Sequence, residues 1–360
     1  MRRLSTDNLH KAFLCLFLCV LMGTGPAGCA GIDPNTRIVL TTGLREDEVF
    51  RIESISCSRP EIMVYVVNMQ DQYQNIYGEQ VWETDVDGET LETRVKENAL
   101  ARMAQVKTMN LMASSMDVGL SPSELKSAEN AGKLYYGSLN DAEIAAMGVD
   151  QDVIVKLYKE YLLAGKVYRE IIRDVNPEIS DDEARNITIE YLLIRTHDVD
   201  AEGRKVAFDE KQRLEAYARA KEAYARAESG ENFDTLVAEY SDSDEMVVSL
   251  GKSDLDDPYL NSVLFDLAGG ELSQILTTDE GYMIALCLST YNLEETDLNK
   301  ERIVNERRES AFAEQYDDYV KGLTRKLNDA LWEEVSFQHD PEVRTSDFFS
   351  IADEYLQLDK

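Results

Sequence analysis

The apolar residues of this chain keep a helical period over residues 46–175, lose it in the polar stretch 176–183, and regain it after Asp297. That change of period limits the fold more than any other feature, because a helix and a half-buried strand need different spacings of the same residues. In 91–112, Val95, Ala99, Met103, Val106 and Leu111 fall on one helical face. Gly119 can close that unit. Ser121, Pro122 and Glu124 open another helix, since serine caps, proline fits the first turn and glutamate reaches back. Asn140 with Glu143 repeats the capping box, Gly148 stops the helix, and Asp150 caps the next. Its stripe of Val153, Leu157, Tyr161, Val167, Tyr168 and Ile171 reads as core.

The segment after Pro177 is patterned otherwise. Residues 187–194 are apolar and β-branched, which suits a strand. An alanine-rich helix follows over 208–227, with Leu214, Tyr217, Lys221 and Tyr224, and Gly230 stops it. Shorter helices are expected at 233–240 and 260–267, and a second strand at 282–288. Strand, helices, strand is a small α+β unit of about 100 residues. The last helix, over 297–331, turns Ile303, Phe312, Tyr316, Val320 and Leu323 inward. A lone helix does not stabilise itself, so it is expected to pack back on the first helical domain and leave the α+β unit as an insertion. The predicted plan is a linker over 30–45, a helical domain over 46–178, the α+β domain over 187–290, a returning helix over 295–333 and a weakly patterned tail over 334–360.

The N-terminus reads as a targeting signal. Arg2, Arg3 and Lys11 precede an apolar run over 12–22, too short for the roughly 20 residues that span a bilayer but suited to the core of a signal peptide. Small residues then lead to Cys29, much as in the bacterial lipobox, although Pro26 stands where that motif has leucine. Removal of 1–28 and lipidation of Cys29 would anchor the protein outside the cytoplasm; cleavage without lipid would release it.

With 37 basic and 69 acidic residues, the chain carries a net charge of −32. Such a surface repels nucleic acid and anionic lipid and favours basic or neutral partners; it also keeps an exported protein soluble. Binding to basic clients should weaken as salt rises. Once the signal is gone, only Cys57 and Cys287 remain besides Cys29; each sits in an apolar context and is expected as a buried free thiol, with pairing between them left open. No CxxC, HExxH or Cys/His cluster marks a metal site, no glycine-rich loop a phosphate site, and no cofactor is expected. The sequon at Asn186 opens a strand expected to be buried, which argues against glycosylation.

Three linked motifs carry a resemblance. Gly230 and Phe233, an apolar residue and Ala238, then Tyr240-Ser241-Asp242 come first; Leu267-Ala268-Gly269-Gly270-Glu271-Leu272-Ser273 follows; Gly281-Tyr282 opens the last strand. In order and spacing, the stretch resembles the parvulin-type (PpiC/rotamase) peptidyl-prolyl cis-trans isomerases. The helical flanks and signal resemble the PrsA and SurA foldases in layout. The resemblance implies an α+β parvulin-like domain, a small antiparallel sheet with surrounding helices, inserted in an all-α chaperone domain. It implies a foldase for exported proteins that takes unfolded or proline-containing polypeptides and needs no cofactor. Parvulins hold the proline ring in an apolar pocket above two histidines, with a Cys or Asp nearby. Here Tyr191 and Met283 stand at the two histidine positions and Ser243 at the Cys/Asp position. Leu260 replaces the ring-packing Phe, Phe265 matches a family aromatic, and Asp256 falls near the pocket Met, where the preceding turn is shortened to Ser249-Leu250-Gly251. Tyr191 can still donate a hydrogen bond; Met283 cannot form a comparable one. His197 is expected as an exposed loop residue. An isomerase, a non-catalytic client-binding lipoprotein with a degenerate parvulin domain, and a lipoprotein in which the domain is a mere spacer all remain open.

Overall fold

The computed structural model describes residues 43–356, apart from 87, 202 and 253. The N-terminal apolar run and Cys29 lie outside the described residues. The chain divides into two compact units, one built from the residues up to Asp174 together with Glu309 onward, the other from Val175–Arg308.

The first unit begins with two strands, β1 (Glu48–Ile52) and β2 (Ile55–Ser58), paired antiparallel. The long helix α1 (Arg59–Tyr77) follows, its start closed by Glu61, which accepts from the Ser58 amide at 2.7 Å. A small hairpin, β3 (Asp85–Val86) and β4 (Glu89–Thr90), precedes α2 (Leu91–Ser115), and α3 (Pro122–Ser138), α4 (Asp141–Met147) and α5 (Gln151–Ile172) complete the N-terminal part. The capping boxes at Ser121 and Asn140 form, Gly148 adopts the left-handed conformation that ends α4, and Asp150 caps α5.

The second unit holds the short helix α6 (Asp181–Ala184), the central strand β5 (Asn186–Arg195), a hairpin of β6 (His197–Val199) and β7 (Lys205–Ala207), helices α7 (Glu210–Glu228) and α8 (Phe233–Tyr240), strand β8 (Val247–Gly251), helix α9 (Pro258–Asp266), and strands β9 (Leu276–Thr277) and β10 (Gly281–Ser289). Helix α10 (Leu293–Val320) ends that unit and carries the chain back into the first. There β11 (Arg325–Leu327), α11 (Asp329–Glu333) and α12 (Phe348–Leu356) finish the fold.

Three features differ from the sequence reading. The helical unit is not all-α: β1 lies between β2 and β11 in a three-stranded antiparallel sheet, with Phe50 opposite Leu327. The returning helix stops at Val320, not at 331, because the chain turns there to supply β11. The stretch 334–360 is not a loose tail through 356. Phe348 is fully buried and Phe349 nearly so, Tyr158 donates to the Phe348 carbonyl at 2.9 Å, and the Phe348 amide donates to Asn68 at 3.0 Å. Asn68 in turn donates to the Tyr135 hydroxyl at 2.6 Å. The aromatic centre of this unit is thus Tyr65, Tyr135, Tyr158 and Phe348; the Tyr135 and Tyr158 hydroxyls are hydrogen-bonded, and that of Tyr65 is not.

The first unit also buries a charge network. Lys107, with no exposed surface, donates to Glu61 at 2.6 Å and Glu160 at 2.7 Å, and Lys156 reaches Glu61 at 2.7 Å. Burial alone would push the Glu61 carboxyl up, but the lysines hold it down at about 2. Phe312, in the second half of α10, is buried beside Tyr168. Cys57 and Cys287 are buried free thiols, one in each unit.

Candidate functional site

The second unit is organised by a four-stranded antiparallel sheet in the order β8-β5-β10-β9. Strand side chains alternate between faces, and here the two faces do different work. Leu192 and Ile194 of β5 and Ile284 of β10 pack against Ala216, Ala220 and Ala223 of α7 and Phe233, Leu236, Val237 and Tyr240 of α8. Small residues face the sheet from α7, so Leu214 and Tyr217 of the same helix are left exposed. The opposite face presents Ile187, Ile189 and Tyr191 of β5 with Met283, Ala285 and Cys287 of β10, covered by Leu260, Leu264 and Phe265 of α9. Register sets Tyr191 opposite Ala285 and Leu193 opposite Met283, which puts Tyr191 and Met283 one diagonal step apart.

Tyr191, Met283, Leu260 and Phe265 therefore meet in one apolar cluster. Ser243 joins them through its hydroxyl, 3.3 Å from that of Tyr191. Asp256 does not: its side chain is exposed, and its neighbour Leu255 packs against the cluster instead. Phe265 carries a second contact, the Arg185 guanidinium 5.3 Å above its ring. His197 is not an exposed loop residue. It lies on β6, buried, with Nε2 3.4 Å from Glu280.

The three sequence motifs act as fasteners for this site. In Tyr240-Ser241-Asp242, Ser241 Oγ accepts from the Leu193 amide, the Asp242 amide donates to the Leu193 carbonyl at 2.7 Å, and the Asp242 carboxylate accepts from the Arg195 amide at 2.9 Å. This holds the following loop on β5 and brings Ser243 to Tyr191. The Tyr191 amide itself donates to Met246 at 2.8 Å. In the glycine-glutamate motif, Gly270 and Ser273 donate to the carbonyls of Cys287 and Ala285, each at 2.7 Å, which ties the turn to β10. Gly281 starts β10 with φ +151°, and a Cβ there would lie 2.1 Å from the Ile194 carbonyl oxygen. Only glycine lets β10 come this close to β5 at that point.

A buried carboxyl on the other face was not legible in the sequence. Glu190 of β5 faces Asp234 of α8, and burial, then its hydrogen bond to Asp234, push its carboxyl up to about 7. No group of three or more His, Cys, Asp or Glu side chains is arranged to hold a metal among the described residues.

An apolar cluster with two hydroxyls at its edge thus lies on one face of the four-stranded sheet. Residues 192–288, in the second unit, match the family model for Rotamase, the PPIC-type PPIASE domain. Among solved structures, the peptidyl-prolyl isomerase PrsA from Bacillus cereus is similar at 16% identity over 87% of this chain and 99% of its own, with a TM-score of 0.36. PrsA from Bacillus subtilis is similar at 18% identity over 74% and 95%, with a TM-score of 0.25. A SurA-like chaperone described with PEB4 and Cj1289 of Campylobacter jejuni is similar at 14% identity over 78% and 98%, with a TM-score of 0.28. No curated protein matches the chain.

Proposed function

We propose that the rotamase unit seats X–Pro segments of unfolded polypeptides and that the chain serves as a foldase for exported proteins. The observation that carries this reading is the Tyr191–Ser243 hydroxyl pair at the edge of the cluster formed by Leu260, Phe265 and Met283. An X–Pro bond isomerises in tens to hundreds of seconds because its partial double bond resists rotation. A catalyst must bind the twisted amide better than the planar one. An apolar seat fixes the ring and strips water from the amide. A hydroxyl can donate to the amide nitrogen as it loses conjugation, or to the carbonyl oxygen as the bond turns. The N-terminal signal pattern ending at Cys29 supports work outside the cytoplasm with a lipid anchor. No helix among the described residues is long and apolar enough to cross a membrane.

The test is the cis-to-trans rate of X–Pro peptides with the purified full chain. The expected result is acceleration that falls in Leu260→Ala and in Tyr191→Phe, with the fold of each variant checked by circular dichroism. A second reading rests on the same site: with tyrosine and methionine at both histidine positions, the unit binds such segments and does not turn them. No acceleration, together with suppressed aggregation of an unfolded client, would establish that reading; neither activity would overturn both.

A further inference from the structure

We propose that Asp71 is a pH-sensitive latch on a C-terminal strap, residues 336–349: protonated Asp71 lets the strap seat on α1 and α4, and its ionisation loosens the strap from the aromatic centre of the helical unit. The strap is gripped through its backbone. From α1, Gln70 donates to the Gln338 carbonyl at 2.7 Å and accepts from the Gln338 amide at 2.8 Å, and Gln72 donates to the Ser346 carbonyl at 3.1 Å. From α4 and its cap, Asn140 donates to the Glu342 carbonyl at 2.8 Å and Glu143 accepts from the Arg344 amide at 3.0 Å. The strap runs into Phe348, whose amide donates to Asn68 and whose ring centre lies 4.6 Å from that of Tyr158 and 5.5 Å from that of Tyr135. Positions 68, 70 and 72 of α1 thus each hold strap backbone.

Asp71 stands among them and is only 5% exposed, yet its Oδ2 is buried without a hydrogen-bond partner. Glu143, also buried, has both oxygens engaged, one by the Asn140 amide at 2.9 Å and one by the Arg344 amide. Two charged groups act on Asp71: Glu143 from α4 and Arg344 from the strap. Arg344 is exposed and its Nε donates to the Pro341 carbonyl at 2.6 Å. The other charged groups of the strap, His339, Asp340, Glu342 and Asp347, are exposed. A buried carboxyl with an unpartnered oxygen keeps its proton at less cost than it bears a charge. Burial, then the charge of Glu143, push the Asp71 carboxyl up to about 7 against the pull of Arg344. The seated strap therefore holds this proton more tightly than an open chain, where the ordinary value is 3.8. Its contribution to seating the strap is whole below about 3.8 and is lost as pH rises through about 7.

The experiment follows hydrogen exchange of the full chain by mass spectrometry from about pH 5.5 to about pH 9, corrected for the intrinsic rate at each pH. Peptides covering 336–349 read the strap, where side chains hold the amides of Gln338, Arg344 and Phe348. Peptides from α2, in the same unit, are the reference. Strap protection should fall about tenfold between pH 5.5 and pH 8 while that of α2 stays level. In Asp71→Asn, which keeps the shape of the protonated acid, the fall should shrink to less than about twofold. Arg344→Gln, at an exposed position, removes the cation that acts on Asp71 and should raise the pH at which the fall levels off by about half a unit. Equal strap protection across the range overturns the proposal. So does a fall that survives in Asp71→Asn, which would belong to His339 or another group, and so does a fall shared by α2, which would be opening of the whole unit. Should Asp71→Asn not fold, Arg344→Gln decides: a levelling pH that stays or drops overturns the latch.

Discussion

Glu61 in the helical unit and Glu190 in the rotamase unit are the same residue type at almost the same exposure, 3% and 5%. Their carboxyls nonetheless move in opposite directions, Glu61 down to about 2 and Glu190 up to about 7. Burial raises both. The difference is what each faces: two lysines around Glu61, an aspartate beside Glu190. Burial by itself does not decide the charge of a carboxyl; its neighbours do. The consequences for stability have opposite signs. Glu61 binds its proton less readily when folded, so its contribution is present above about 4.5 and is lost as pH falls toward about 2. Glu190 holds its proton more tightly when folded, so its unit is favoured in acid and weakens as pH rises from about 4.5 through about 7.

The sharpest way to break this contrast is Lys107→Met. It leaves Glu61 and Glu160 without their fully buried cation and should cost about 3–5 kcal/mol. Both tryptophans, Trp82 and Trp332, belong to the helical unit, so denaturation followed by tryptophan fluorescence reads that unit. A loss under about 1 kcal/mol would mean that water reaches Glu61 and that the two sites are alike. Next in size is Glu190→Gln. It should raise the stability of the rotamase unit above neutral pH by about 2 kcal/mol and flatten its decline with pH. Hydrogen exchange of the β5 and β10 amides at several pH values would show this; a wild-type unit equally stable at pH 5 and pH 8 would contradict it. The smallest effect is expected for Lys156→Ala. Its side chain is 51% exposed, so its pair with Glu61 should be worth less than about 1 kcal/mol. A cost like that of Lys107→Met would show that Glu61 depends on both lysines equally.

What the sequence made legible followed how local each signal is. The capping boxes at Ser121 and Asn140, the left-handed Gly148, and the strands around Tyr191 and Met283 are written within a few residues of themselves, and they form. Strands β1 and β2 are five and four residues long, too short for an alternating pattern to stand out from the helix that follows. The partner that makes β1 central, β11, lies more than 270 residues away in sequence. Phe348 was hidden for the same reason: nothing near it announces that Tyr158 and Asn68 await its backbone. In the candidate site, linked motifs led to Tyr191, Ser243, Leu260, Phe265 and Met283, which meet. Asp256 stays outside the cluster, exposed, while its neighbour Leu255 packs against it, and the short turn Ser249-Leu250-Gly251 before them leaves no motif to count from. The Glu190–Asp234 pair depends on a strand and a helix meeting across 44 residues, and no spacing rule anticipates it.

The central position of β1 sets an order on how this protein can be made. Residues 48–58 stay without their outer partner, and the aromatic centre around Tyr135 stays open, until the segment from Arg325 to Phe349 has been synthesised. The rotamase unit, continuous from Val175 to Arg308, has all its strands long before then. A chain emerging N-terminus first, from a ribosome or through an export channel, thus completes its second unit before its first. For that interval the protein resembles the molecules it is proposed to serve: a chain with apolar surface still uncovered, waiting on its own last residues.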